Sequence, residues 1–192
     1  MKYTSTPTNA GSRKEAEEQE MTRQWIDFYR FPDKLISGQR WTLGRILAMR
    51  DQELEKHHDF IQLLFPNKAP SGPNPRAPLL TDAMIQVTPL IKKNIDKALK
   101  KVLNYWGIFW AGGDAGIVLE SAKKEKVSKW CQDNSDESHN QLRVTRVLNF
   151  LMAIGQQELA LELEAKMNHH RKKEGVSFNM HWAEAVGRID PD

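Results

Sequence analysis

The chain of 192 residues is long enough for one domain with a substantial core, and its single cysteine, Cys131, excludes an intramolecular disulfide and indicates a reducing, intracellular compartment. The 28 basic and 25 acidic residues leave a formal net charge of +3, too small a surplus to favour nucleic acid as a partner. No window approaches the run of about 18 apolar residues that a membrane span requires, so we expect membrane association to be peripheral at most.

The N-terminal part of the chain combines a polar arm with two predicted helices. Residues 1–20 are polar and lack the apolar run of a signal peptide, so we expect a disordered arm. Apolar and aromatic residues at helical spacing over residues 15–29 predict a helix whose final turns dock on the core. Residues 41–49 predict a short helix with Thr42 as its N-cap, and Asp51 is placed to cap the next helix.

The segment LEKHHDFIQLLFP, residues 54–66, is the most informative part of the sequence. Its bulky apolar residues and two histidines recur every three or four positions, which predicts one amphipathic helix with polar side chains on its apolar face. Pro66 should end this helix, because its ring clashes with the preceding turn and it has no amide hydrogen to donate. Residues 66–81 contain five prolines and predict a long extended loop that side chains must hold in place.

The rest of the pattern is helical almost throughout. Thr81 is placed to cap the clearest amphipathic stripe of the chain, which runs to Trp106 and within which Pro89 should kink or restart the helix. Glycines after Trp106 then break the pattern. Further helices are predicted at residues 121–130, 139–154 and 156–167, with one short docked helix in the tail.

These patterns predict an all-α fold, an irregular single-domain helical bundle with a long proline-rich connecting loop. The sequence contains no convincing strand alternation and no internal repeat. The predicted organisation is a disordered arm at residues 1–20, a helical domain at 21–167 and a basic, amphipathic tail at 168–192 that contains the run HHRKK.

Five blocks of sequence occur in a defined order. They are FYR at residues 28–30, the core string within 54–66, Asn74 with the following APLLT, YWGI at 105–108 and SHNQLRVTRVL at 138–148. In this order they resemble the conserved domain of the opioid growth factor receptor family, over residues 26–163. The resemblance implies an all-helical domain without recognised catalytic residues. Because family members are described as receptors for an enkephalin-type peptide, soluble or loosely membrane-associated and often nuclear, it also implies a receptor-like activity and a cytoplasmic or nuclear location.

His58 is the first candidate for a functional contact, because it lies on the apolar face with Glu55 one turn before it. A hydrogen bond from the carboxylate could fix the tautomer of a ligand-binding or acid-base histidine. The alternative is a satisfied core histidine, with Glu55, Gln62 and the loop residue Asn74 as structural polar groups. No metal site is expected, since adjacent histidines diverge on a helix and lack the i, i+4 spacing of helical zinc ligands.

Arg143 and Arg146 are the second candidates. They lie three residues apart near the start of a predicted helix, where unpaired amides and the helix dipole favour an anion, and His139 and Asn140 are nearby donors. A phosphate or a peptide carboxylate could bind there. The alternative is that one arginine clamps backbone carbonyls or a carboxylate such as Glu55 and so braces the proline-rich loop.

Trp106 and Trp110 are the third candidates. They belong to an aromatic group that one helix face cannot bury completely, so we expect partial exposure and a groove for a peptide. The alternative is that both side chains belong to the core.

We therefore hypothesise a non-enzymatic helical binding domain that recognises a peptide or protein segment. Its groove would be lined by Trp106 and Trp110, with His58, His139, Asn140, Arg143 and Arg146 as polar contacts. The alternative is an enzyme that acts on a phosphorylated or carboxylated small molecule at the same arginines and histidines. A third hypothesis is a structural or regulatory domain with a basic tail. No cofactor is expected, the oligomeric state is left open, and the site requires His58 and Arg143 to meet inside one bundle.

Overall fold

Helices make up most of the chain that the computed structural model describes, namely residues 9–72, 74–111, 119–121, 126 and 138–188. In chain order the elements are α1 (Asn9–Arg30), α2 (Leu43–Ala48), α3 (Asp51–Lys56), α4 (Ile61–Leu64), α5 (Asp82–Tyr105), β1 (Ile108–Trp110), β2 (Leu119–Ser121), α6 (Ser138–Ala153), α7 (Gln157–Lys173) and α8 (Met180–Ala185). The expected all-α class is confirmed. No helix within these ranges is both long and apolar enough to cross a membrane.

The long helices α1 and α5 pack against each other and carry much of the core. Trp25 and Tyr29 of α1 are fully buried, and their rings meet edge to face with centroids 5.1 Å apart. Asn94 of α5 donates from Nδ2 to the Tyr29 carbonyl over 2.6 Å. Helix α1 begins at Asn9, so the expected disordered arm is helical from that residue onward. Once the docked turns have nucleated a helix, each further residue adds a backbone hydrogen bond at small entropic cost.

Helix α5 continues without a break through Pro89. Its N-cap is Thr81, as predicted, and Thr81 Oγ1 accepts from the Met84 amide over 3.1 Å. The expected restart at Pro89 is wrong. Proline cannot donate to the Ile85 carbonyl, and Thr88 Oγ1 donates to that carbonyl instead, over 2.8 Å.

The short helices α2 and α3 are capped in different ways. The N-cap of α2 is Thr42, as predicted, and its Oγ1 accepts from the Arg45 amide over 3.1 Å. The N-cap of α3 is Arg50 instead of Asp51, because Glu53 Oε2 accepts from the Arg50 amide over 3.0 Å. The carboxylate at the third position of the helix thus accepts from the amide at the helix N-terminus, where we had expected Asp51 to be the cap.

The segment at residues 54–66 is not one helix, which corrects the main local prediction. Helix α3 ends before His57, which is extended (φ −102°, ψ 124°), and α4 begins only at Ile61. In a continuous helix the His57 carbonyl would accept from the Ile61 amide. Here Arg143 Nη2 donates to that carbonyl over 2.8 Å, so a distant side chain replaces the helical bond.

Strands β1 and β2 pair antiparallel, with Ile108 opposite Ser121. We expected no strands, and three-residue strands are too short for an alternating pattern to be recognised. Gly107, with a φ of 79°, lets the chain turn out of α5. The helix predicted at residues 121–130 lies outside the described residues except for Ser121, which ends β2, and Lys126.

The C-terminal helices α7 and α8 pack against α6. Helix α7 continues past the end expected at residue 167 as far as Lys173, so the basic run HHRKK is helical. Arg171 is 2% exposed: its Nε donates to the Ser177 carbonyl over 2.8 Å, and its guanidinium lies 5.6 Å from the Trp182 ring centroid. The short docked helix predicted in this region is α8.

We predict that Pro89→Ala raises the free energy of unfolding by about 1–3 kcal/mol, because a proline inside a helix costs about 3 kcal/mol and this ring is exposed. The new amide can donate to the Ile85 carbonyl. Urea unfolding followed by circular dichroism measures the change. The matched control is Leu90→Ala at the adjacent exposed position, with an expected change below about 0.5 kcal/mol. A loss of stability in Pro89→Ala would contradict this account of the helix.

Candidate functional site

Residues 57–65, which we call the clasped segment, connect α3 to the proline-rich loop and are held by side chains from other elements. Helix α4 within this segment is too short to satisfy its own last carbonyls. Trp25 Nε1 donates to the Leu63 carbonyl over 3.2 Å, and the Tyr29 hydroxyl donates to the Leu64 carbonyl over 2.7 Å. Helix α1 therefore supplies the donors that α4 lacks.

The turn between α3 and α4 is fixed from the proline-rich loop. Asn74 Nδ2 donates to the Asp59 carbonyl over 3.1 Å and to Gln39 Oε1 over 3.2 Å. Trp41 Nε1 donates to the Asp59 carboxylate over 2.9 Å. Asn74 thus joins the loop to the turn, in keeping with the structural role that we expected for it.

Two arginines of α6 bind the two ends of the clasped segment. Arg143 Nη2 donates to the His57 carbonyl over 2.8 Å, and Arg146 Nη1 reaches the Phe65 carbonyl at 3.4 Å. The carbonyl-clamping role that was the alternative for these arginines is therefore present in the structure. Because the two residues lie one turn apart on α6, one helix face holds both ends of the segment.

Arg143 also lies at the centre of a polar cluster. The side chain is 4% exposed, and Nη1 donates to Asn140 Oδ1 over 3.1 Å and to the Tyr105 hydroxyl over 3.4 Å. Nη2 lies 3.3 Å from His58 Nδ1. The Tyr105 hydroxyl donates to Glu55 Oε2. The structure thus brings His58 and Glu55, from the first set of candidates, together with Asn140 and Arg143, from the second.

The contact with Arg143 assigns the tautomer of His58. A guanidinium only donates, so His58 Nδ1 accepts and carries no proton, and the proton of the neutral ring is on Nε2. Glu55 Oε2 accepts from Tyr105, and the hydrogen bond by which Glu55 could fix this tautomer stays a prediction. In the described part of the chain, no group of three or more His, Cys, Asp and Glu side chains could hold a metal ion.

The arginines carry positive charge that the described residues do not neutralise. Burial lowers the pKa of both Arg143 and Arg146. Among the described residues neither guanidinium forms an ion pair with a carboxylate. The negative charge of Glu55 raises the pKa of Arg143 and so partly offsets the effect of burial on that pKa. Burial, followed by the hydrogen bond to Glu55, raises the pKa of Tyr105, so this hydroxyl stays neutral.

A cavity of 260 Å³, which we call the cationic pocket, opens beside this cluster. Among the residues that line it are His58, Gln62, Ser71, Leu142, Arg143 and Arg146. Gln62 is 5% exposed, and no described residue forms a hydrogen bond with its Oε1. The pocket therefore combines two buried or half-buried cations with an unsatisfied amide oxygen.

A second cavity, of 630 Å³, adjoins the cationic pocket along α6. Both are lined by Leu142, Thr145 and Asn149, and the second is closed by Asn179 and by α8. Leu142 is 68% exposed between them. Because the two cavities share these lining residues, we call them together the α6 groove. A separate cavity of 390 Å³ lies on the Glu55 side of Tyr105.

The structure does not bring the two tryptophans into the α6 groove. Trp106 is 1% exposed and borders the 390 Å³ cavity, and Trp110 is 8% exposed. Both tryptophans belong to the core, which was the alternative for them, and the partial exposure expected of the aromatic group falls on Phe109, which is 47% exposed. The side chain of His139 lies outside the described residues.

Sequence reasoning missed Leu142 and Asn149 as groove residues and Tyr105 as the link between Glu55 and Arg143. Leu142 gave no usable signal, since a leucine in an apolar helical pattern is expected to face the core and its exposure is visible only in the structure. Tyr105 gave none, because its hydroxyl contacts residues 50 and 35 positions away in the chain.

We predict that Arg143→Lys lowers the free energy of unfolding by about 1–3 kcal/mol, because an ammonium cannot reproduce the guanidinium's simultaneous contacts with His57, Asn140 and Tyr105. Urea unfolding measures the loss, and amide hydrogen exchange in α4 should accelerate. Arg30→Lys, at an exposed position, is the matched control. Unchanged protection in α4 would show that Arg143 does not hold the segment.

We predict that stability falls above pH 10, because burial raises the pKa of Tyr29 and Tyr105 in the folded chain. Both ionise near pH 10 in the unfolded chain. Their contribution to the free energy of unfolding is therefore complete below that pH and is lost as the pH rises further. For Tyr29 the fall approaches about 1.4 kcal/mol per pH unit. Urea midpoints between pH 8 and 11 measure it. Tyr29→Phe should flatten the profile, and a profile as steep as that of the unmodified chain would contradict the prediction.

The comparisons with known proteins agree with the resemblance noted in the sequence. The family model described as "Opioid growth factor receptor (OGFr) conserved region" matches residues 44–170, which contain the clasped segment and all of α6. The human opioid growth factor receptor is 32% identical over 105 residues, which cover 53% of this chain and 15% of the human protein. No solved structure matches the chain. Since the family model covers well over half of its length, the chain belongs to the opioid growth factor receptor conserved-region family.

Proposed function

We propose that this chain is a binding domain that recognises a peptide or protein segment lying in the α6 groove. The observation that carries the proposal is the arrangement of this groove, which joins a cationic end to an exposed apolar side chain, Leu142. A concave site whose mostly apolar walls carry a few polar groups is typical of a binding surface. The name of the human relative describes a receptor, and a receptor-like role for this chain is part of the proposal.

The hydroxyls beside the cationic pocket support binding rather than catalysis. Thr145 Oγ1 donates to the Gln141 carbonyl over 3.2 Å, and Ser71 Oγ accepts from the Asn74 amide at 3.4 Å. A nucleophilic hydroxyl needs an adjacent base that takes its proton. His58 meets Arg143 through Nδ1, so that nitrogen is engaged and does not serve as such a base.

We predict that a phage-displayed library of random peptides contains sequences that the full chain captures, and that Leu142→Ser weakens their binding roughly tenfold or more. Loss of a buried leucine contact is worth about 1.5–3 kcal/mol, which corresponds to this change in affinity. Leu90→Ser is the matched control, since Leu90 is 69% exposed on α5 and far from the groove lining.

Captured peptides that bind both variants equally would place the binding surface elsewhere and contradict the proposal. If no peptide is captured while phosphorylated or carboxylated metabolites raise the melting temperature, the small-molecule enzyme becomes the better hypothesis.

A further inference from the structure

The cationic pocket holds two positive charges and, among the described residues that line it, no Asp or Glu. Burial lowers the pKa of Arg143 and Arg146, which indicates that water is partly withheld from both guanidiniums. Desolvated cations without a carboxylate partner are stabilised when an anion binds between them. The pocket is therefore built for a negatively charged group.

The two arginines differ in how many donors the protein itself uses. Arg143 directs both terminal nitrogens at protein groups, including the His57 carbonyl and Asn140. Arg146 forms one described hydrogen bond, at 3.4 Å, to the Phe65 carbonyl. A guanidinium has five N–H donors, so Arg146 retains donors for a bidentate contact, whereas Arg143 contributes mainly its charge.

Gln62 gives an independent indication of a ligand. It lines the pocket, is 5% exposed, and its Oε1 has no hydrogen-bond partner in the part of the chain that the structure describes. An unsatisfied buried amide oxygen costs free energy and is normally paired in a native structure. A half-turn about the last side-chain torsion exchanges this oxygen for the NH2 group, which can donate to an anion.

We infer that the cationic pocket is a subsite for a phosphoryl group carried by a side chain of the segment in the α6 groove, an inference that rests on the proposed function. A phosphorylated side chain carries about −1.5 to −2 charges at pH 7 and three acceptor oxygens. The charge matches that of the two guanidiniums. The oxygens can accept from the N–H donors of Arg146 and from the amide of Gln62. A carboxylate has one charge and two oxygens, and would leave one cation unbalanced.

Leu142 connects the phosphoryl subsite with the rest of the groove. It lines both the cationic pocket and the adjoining cavity, so a residue next to the phosphorylated one meets an apolar surface. The expected ligand is thus a phosphopeptide with an apolar residue near the modified side chain, not an isolated phosphate.

The test uses the full chain and two libraries of random peptides that are identical except that the central serine or tyrosine is phosphorylated in one. Fluorescence anisotropy should show binding to the phosphorylated library that is about tenfold tighter or more, since charge-assisted bonds to arginine form only there. Arg146→Gln should abolish this preference. Arg30→Gln, which removes one exposed charge from the end of α1, should keep it. Circular dichroism establishes that both variants are folded.

The outcomes separate this inference from the proposed function. Equal binding of both libraries overturns the phosphoryl subsite and leaves peptide recognition standing, whereas binding of neither library overturns both. Tighter binding to vesicles containing phosphatidylinositol phosphates than to phosphopeptides overturns the inference in favour of a lipid headgroup. Inorganic phosphate that raises the melting temperature of Arg146→Gln as much as that of the unmodified chain also overturns it, because the phosphate would then bind elsewhere.

Gln62→Leu distinguishes a ligand-binding glutamine from a structural one. The melting temperature should rise, because an apolar side chain replaces a buried oxygen without a partner. The preference for the phosphorylated library should fall several-fold at the same time. A higher melting temperature with an unchanged preference would show that Gln62 does not contact the phosphoryl group.

Discussion

The structure depends on side chains that satisfy the backbone of residues 57–65. A helix of four residues cannot satisfy its terminal carbonyls internally, and α4 is buried where water does not substitute. Donors arrive from α1 through Trp25 and Tyr29, from the proline-rich loop through Asn74, and from α6 through Arg143. Three parts of the chain, namely α1, the proline-rich loop and α6, are thereby fixed around one short segment. The fold is consequently held by specific polar contacts as well as by its apolar core.

The same helix face that closes the fold also forms the candidate site. Arg143 uses its donors inside the protein, whereas Arg146, one turn further along, makes a single described contact and faces the pocket. The desolvation of these guanidiniums opposes stability. We regard the division of roles between the two arginines as the link between the architecture and the proposed recognition of a segment.

Local sequence signals predicted those features whose causes are local. Thr42 and Thr81 cap their helices through residues three positions away, and the amphipathic stripe of α5 has the expected span. The break after Lys56 could not be predicted in this way, because it is imposed by Arg143, 86 residues further along the chain from the carbonyl it binds. Proximity of His58 and Arg143 was inferred from residue types alone. The burial of Trp110 could not be inferred from residue types, since the depth of an aromatic side chain depends on the packing of several elements.

The contact between α7 and the approach to α8 has a consequence for the length of any bound partner. The Asn179 amide donates to Asn168 Oδ1 over 2.8 Å, and Asn179 Nδ2 donates to Gln141 Oε1 over 3.0 Å. This latch fastens α8 as the far wall of the α6 groove, whereas the arginines occupy the opposite end. The two ends of the α6 groove are thus formed by different parts of the chain. Under the proposed function, a change in the latch alone would alter the length of segment that the groove accepts, without touching the charged end.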